Sequence, residues 1–162
     1  MKKKFECTVR YFGDDFPAAQ IESGNQISGD LFSGLNDLAV SKTGKHISQK
    51  GDTAFVGGKN FGHGYCGHAL FQNIKNNGTV AIIANSITRD FYRGAINQGL
   101  AVIEIPDTIL NFRDGESITI DMEKGEIKTA QGTIAIGILP DLHYKIYLAG
   151  GLIPYTKKLM GK

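Results

Sequence analysis

Two cysteines, Cys7 and Cys66, are all that the chain contains. That is too few for a disulfide framework, so both read as free thiols of a reducing cytoplasm. Charge of one sign is also scarce. A formal net charge of +2 is too small to argue for nucleic acid. The basic residues are dispersed, except for short clusters at Lys2 to Lys4 and at Lys157, Lys158 and Lys162, which read as solvated termini. No apolar run approaches the length of a membrane span, and the first residues lack the apolar core of a signal peptide. No internal repeat or linker is found, so residues 1–162 are expected to form one α/β domain that buries its core without staples.

Glycine is present in excess, at 21 of 162 residues against a usual ~7%. It is not periodic, which excludes collagen-like and low-complexity readings. It concentrates in Gly57 to Gly67, GGKNFGHGYCG. The strand-like DTAFV precedes this stretch, and an apolar helix-like segment starts at His68. A strand, a glycine-rich turn and a helix N-terminus let main-chain N–H groups and the helix dipole converge on an anion. The place is the carboxyl end of a strand, where open α/β sheets hold their ligands. The alternative is a tight strand-to-helix turn that needs glycine only for backbone geometry. Residue types alone leave both readings open.

Around the turn the order of elements is legible. KFECTVRYF (4–12) reads as a first strand, and GDDFPAAQ as the turn after it, with Asp14 and Asp15 serving turn chemistry rather than acting as paired carboxylates. From Ile21 to Lys50 the pattern is weak, apart from a short helix expected in LFSGLNDLAV (31–40). TAFVGG feeds the glycine turn; HALFQNIKNNG then reads as a helix stopped by Gly78. TVAIIA (79–84) is a fully buried strand by its continuous apolar run. Ser86 is expected to cap a second helix with Ile87, Phe91 and Ala95 on one face, ended by Gly99, before the strand LAVIEI (100–105). Alternation at this spacing implies right-handed parallel crossovers. SITIDM, EIKTA and TIAIGIL then read as an antiparallel meander. Pro140 opens a final segment with Leu142, Ile146 and Ala149 on one face, broken by Gly150 and Gly151 before a basic tail.

GKNFGHG, followed by HA and a helix, then VAIIANSITRDFYRGAINQGLAVIE and the ending AGGLIPYTKK, resembles the small subunit of 3-isopropylmalate dehydratase and the swivelling domain of aconitases. The likeness is specific from Gly57 to Glu104 and vague from Gly24 to Lys50. It implies a three-layer β/β/α swivelling domain, with a parallel βαβαβ core and an antiparallel meander, that closes over the active site of a separate large subunit. That partner would carry a [4Fe–4S] cluster; this chain, with two thiols, holds none. The reaction implied is dehydration and rehydration of a hydroxy acid, with the chain as the cytoplasmic small subunit of a hydro-lyase and self-association as a further possibility. The alternative is a non-catalytic swivel-domain relative that binds small carboxylates or serves assembly.

The resemblance breaks at the chemistry. The family motif after the Gly-x-Gly turn is Ser-Ser-Arg-Glu-His-Ala, in which the first Ser supplies the base and the Arg holds substrate carboxylate. Here Gly64 is followed by Tyr65, Cys66 and Gly67, and only His68 and Ala69 carry over. Ala18 and Ala19 replace the upstream Thr-Asp, and no basic residue stands at Gln26 to Gly29, where the specificity loop would fall. Losing a proton-transfer group typically costs about 10²–10⁴ in rate, so replacements are sought. Cys66 with a histidine, His63 or His68, ranks above Tyr65, whose unperturbed pKa lies near ~10. Asn60, Gly62, His63, Gly64 and Gly67 are the expected substrate contacts. His63, Cys66 and His68 also form H-x-x-C-x-H, a spacing outside the usual zinc sets, and no metal is assigned. Arg89 and Arg93 on the second helix read as solvated or interface residues.

Overall fold

The computed structural model describes residues 3–21, 52–76, 78–106, 112–137 and 139–161. Residues 22–51, including the short helix expected at 31–40, lie outside the described residues. Seven strands form one sheet: β1 (Lys4–Tyr11), β2 (Thr53–Gly57), β3 (Thr79–Ala84), β4 (Ala101–Glu104), β5 (Ser117–Asp121), β6 (Glu126–Thr129) and β7 (Gly132–Ala135). Four helices accompany them: α1 (His68–Asn76), α2 (Arg89–Asn97), α3 (Asp141–Ala149) and α4 (Leu152–Leu159). Strand order is β4-β3-β2-β1-β5-β6-β7.

The strand β1 is the seam. It pairs parallel with β2, Thr8 opposite Thr53, and antiparallel with β5, Cys7 opposite Ile118. The parallel half is buried on both faces, as its unbroken apolar runs require. Phe55, Ile82 and Val102 pack on one face with Leu70, Phe71 and Ile74 of α1 and Phe91 and Ala95 of α2. The neighbours of those strand residues, Ala54, Val56, Ala81, Ile83, Ala101 and Ile103, share a second cluster with Phe5, Ile118, Ile120 and Ile127. Residues of β5 and β6 thus cover the far side of β2 to β4, which requires the single sheet to curl upon itself. The layers are β/β/α.

One expectation is corrected. Ser86 caps nothing: α2 starts after Thr88, which makes no side-chain cap bond, and the Ser86 hydroxyl instead accepts the Asn60 N–H at 2.8 Å. The basic tail after Gly151 is the helix α4, with no buried residue. Of the face expected on α3, Leu142 is 54% exposed; the helix is anchored by Ile146 and Tyr147, whose burial reaches both clusters. Lys75, at the end of α1, ties the helix ends together. Its ammonium donates to the Gln98 carbonyl at 2.7 Å and the Gly150 carbonyl at 3.1 Å, the C-caps of α2 and α3, where a cation complements two helix dipoles. No helix among the described residues is long and apolar enough to cross a membrane.

Burial pushes the Cys7 thiol up to about 12, and burial likewise raises Tyr147. Folded chains hold these protons after unfolded chains, whose thiols ionise near ~8.5, have released them. The stabilisation is complete below the unfolded pKa and is lost as pH climbs toward the folded one. Urea midpoints should therefore fall through the alkaline range, and Cys7→Val should flatten the slope.

Candidate functional site

Three loops meet beyond the carboxyl ends of the parallel strands: Phe12 to Pro17 after β1, Gly58 to Gly67 after β2, and Asn85 to Thr88 after β3. The first two contribute Phe12, Phe16 and Phe61 to one aromatic cluster, which Phe91 of α2 joins. Phe61, at the middle of the glycine turn, is fully buried. Its ring centroid lies 5.9 Å from that of Phe12, 5.8 Å from Phe16 and 5.5 Å from Phe91. Phe91 in turn meets Phe71 of α1 at 5.0 Å.

The first half of the turn is stitched to its neighbours. Gly58 N–H donates to the Gly13 carbonyl, Lys59 N–H to the Asp14 carboxylate, Asn60 N–H to the Ser86 hydroxyl, Phe61 N–H to the Ser86 carbonyl and Gly62 N–H to the Phe16 carbonyl. The Asn60 side chain donates to Asp15 Oδ1 at 2.9 Å, and Thr88 Oγ1 donates to the Gly62 carbonyl at 2.8 Å. The amides from Gly58 to Gly62, expected to face an anion, are thus committed to protein acceptors. This narrows the expectation that placed Asn60 and Gly62 against substrate. Glycine at 57 and 62 answers to packing. A Cβ at Gly57 would enter the Phe61 ring, and one at Gly62, where φ is +75°, would enter the Phe91 ring.

The second half faces outward. Gly64 has φ +94° with open space where a Cβ would stand. Tyr65 is 83% exposed, His68 is exposed, and His63, Cys66 and Gly67 are half-buried. The Cys66 thiol lies 3.5 Å from the carbonyls of Gly62 and Gly64. His63 Nε2 is 2.9 Å from the Asp15 carbonyl, and His68 Nδ1 is 2.9 Å from the Gln98 side-chain nitrogen. Each of those ring nitrogens thus has a protein partner other than the thiol. His63, Cys66 and His68 do not converge as metal ligands, and among the described residues no group of three His, Cys, Asp or Glu does so.

Sequence reasoning missed the loop-to-loop roles of Ser86, Thr88 and Gln98. Small polar residues beside a glycine turn were the available signal, but their partners lie 26 to 30 positions away, a separation that local pattern cannot bridge. Glu104 is a further case: its carboxylate accepts the Ile87 N–H at 2.8 Å, fixing the third loop from the end of β4. Asp14 and Asp15 hold the turn.

No protein-family model matches the chain. It is 40% identical over 109 residues to the isopropylmalate/citramalate isomerase small subunit of Methanocaldococcus jannaschii, covering 66% of this chain and 65% of that protein. It is 32% identical over 172 residues to the 3-isopropylmalate dehydratase small subunit of Aquifex aeolicus, covering 98% of this chain and 97% of that one. The crystal structure of a 3-isopropylmalate dehydratase from Methanocaldococcus jannaschii superposes with a TM-score of 0.75 at 29% identity, over 97% of this chain and 95% of that chain.

The two kinds of glycine should separate by mutation. Gly62→Ala combines left-handed strain with overpacking and should cost about 2–4 kcal/mol in urea titrations. Gly64→Ala, with no clash, should cost no more than about 1–2 kcal/mol. A disulfide reagent such as dithionitrobenzoate should titrate Cys66 in the native protein and reach buried Cys7 only on unfolding.

Proposed function

The chain belongs to the family of 3-isopropylmalate dehydratase small subunits, and from that premise we propose that it serves as the small subunit of a hydro-lyase whose substrate pocket is altered. A large subunit would hold the [4Fe–4S] cluster, which would supply Lewis-acid chemistry to the reaction. This chain closes over it from the other side, in the cytoplasm. The observation that carries the reading is the division of the glycine turn: five consecutive amides hold the bend rigid, while residues 63 to 68 stand at the surface, where only a second polypeptide can complete a closed site.

The outward half is where the family's Ser-Ser-Arg-Glu would stand, and its replacement by Tyr65, Cys66 and Gly67 supports an altered substrate. A bidentate arginine–carboxylate contact is among the stronger charge-assisted pairs. Without it the preferred acid has one carboxylate fewer or carries a less anionic group at that position. His63, Gly64 and Gly67 line the substrate's path. Cys66 is the first choice for proton transfer. Its thiol stands just before the N-terminus of α1 and is directed at the Gly62 and Gly64 carbonyls. Tyr65 is the second choice, and His68, held by Gln98, positions the start of the helix. Binding the substrate between two chains excludes water from the reacting carbons, which strengthens every charge–charge contact in the closed site.

Co-expression with a cluster-bearing large subunit should give a brown complex that hydrates or dehydrates a hydroxy acid. In that complex Cys66→Ala should lower kcat by about 10²–10⁴ while leaving assembly intact, and Tyr65→Phe should do so instead if the tyrosine carries the proton. Inactivity across a broad panel of hydroxy acids with an intact cluster would reject the reading and leave the non-catalytic carboxylate-binding alternative.

A further inference from the structure

Among the described residues, two other than glycine have left-handed backbone: Asp15 at φ +51° and Asn60 at φ +54°. Such strain persists only where surrounding contacts over-determine it, and it gathers beside working groups. Here the two strained residues hold each other. Asp15 N–H donates to the Lys59 carbonyl at 2.8 Å, and the Asn60 side chain donates to Asp15 Oδ1 at 2.9 Å. The joint delivers the Asp15 carbonyl to His63, 2.9 Å from ring atom Nε2. The backbone of His63 is fixed as well. Its carbonyl accepts the Ala18 N–H at 2.9 Å, within the bridge between Pro17 and His63.

A carbonyl oxygen carries no proton, so the ring supplies it. Neutral His63 is therefore protonated on Nε2 and bare on Nδ1. Among the described residues Nδ1 has no hydrogen-bond partner, and the buried unpartnered atoms are Thr79 Oγ1 and the Tyr144 hydroxyl, not Nδ1. A proton can thus be loaded at Nδ1 and removed again while the bond to Asp15 stays in place. Imidazole is the side chain suited to that cycle near neutrality. His68 is held the other way round. The Gln98 amide nitrogen, a donor, lies 2.9 Å from its Nδ1 and 3.3 Å from its Nε2. A proton added to the ring nitrogen that accepts from it would set two donors against each other.

Dehydration of a hydroxy acid moves two protons: one leaves carbon, and one reaches the departing oxygen. We propose that His63 handles the second, with Asp15 and Asn60 as its positioning residues. The inference rests on the hydro-lyase reading, in which Cys66 takes the carbon-bound proton. As the carbon–oxygen bond breaks, its electron pair leaves with the oxygen. That oxygen takes the Nδ1 proton of the His63 imidazolium and departs as water, while the carbon–hydrogen pair becomes the double bond. Hydration returns the proton to Nδ1. The other titratable groups of the two loops are Asp14, whose carboxylate accepts the Lys59 N–H, and Asp15, Lys59, Tyr65 and Cys66.

Nitrogen-15 NMR of the imidazole rings reads the tautomer in the full chain alone, with His63 assigned by the loss of its peaks in His63→Ala. Neutral His63 should carry its proton on Nε2, and acidification should protonate Nδ1. Asn60→Gly keeps the left-handed backbone, removes the side-chain bond to Asp15 and should let both tautomers appear. In the complex with a large subunit, His63→Ala should lower kcat by about 10²–10⁴ with KM little changed. It should also erase the alkaline limb of the kcat profile for dehydration and recover in part with imidazole in the buffer. Asn60→Gly should lower kcat and keep that limb. A parent complex inactive across the hydroxy-acid panel would sink the hydro-lyase reading and this role with it. An active parent complex in which His63→Ala keeps its kcat or is not rescued by imidazole would overturn the His63 assignment alone, as would a neutral ring protonated on Nδ1.

Discussion

The burial of Phe61 is the contact on which the rest of the site depends. A glycine-rich segment between a strand and a helix has many conformations to lose, and something must select one. Phe61 does this by inserting its ring among Phe12 and Phe16 of the loop after β1 and Phe91 of α2. Aromatic pairs at such distances contribute about 0.5–1.5 kcal/mol each beyond their area. With the ring in place, the backbone before it must pass too close for a side chain at Gly57, and the backbone after it too close for one at Gly62. The hydrogen bonds to Gly13, Asp14, Phe16 and Ser86 then follow, because the three loops are already side by side.

Rigidity in the first half of the turn is what makes the second half useful. Gly64, Tyr65 and the half-buried Cys66 would present no defined surface on a mobile loop. Mounted directly after five committed amides, they extend from a fixed base toward whatever closes over them. Such an arrangement suits a chain that supplies one wall of a site. It also explains why so much glycine coexists with so few groups left over for a ligand: the glycines mostly admit neighbouring rings and backbone.

At the other end of the parallel layer the organising group is an ammonium. Burial lowers the Lys75 pKa, and its ammonium donates to two carbonyls at helix C-termini. Gly99 and Gly151 allow the junctions to approach closely there, since a Cβ at either would meet the opposite backbone. The consequence is that one side chain ties α1, α2 and α3 together at their C-terminal ends.

Much of this was legible in the chain itself. TAFVGG read as the strand before the glycine turn, the apolar run TVAIIA as a strand buried on both faces and LAVIEI as the next strand, and the helix expected between each pair implied parallel crossovers. The meander announced itself through short alternating strands and turn-formers. Family motifs identified the fold because they coincide with those elements. Tertiary structure alone decided which glycines serve packing and which face outward, that Ser86 holds the glycine turn instead of capping a helix, and that the basic tail is helical. The physical reason is range: periodicity and turn chemistry act over a few residues, whereas the partners of Phe61, Ser86 and Lys75 come from segments that only the curled sheet brings together.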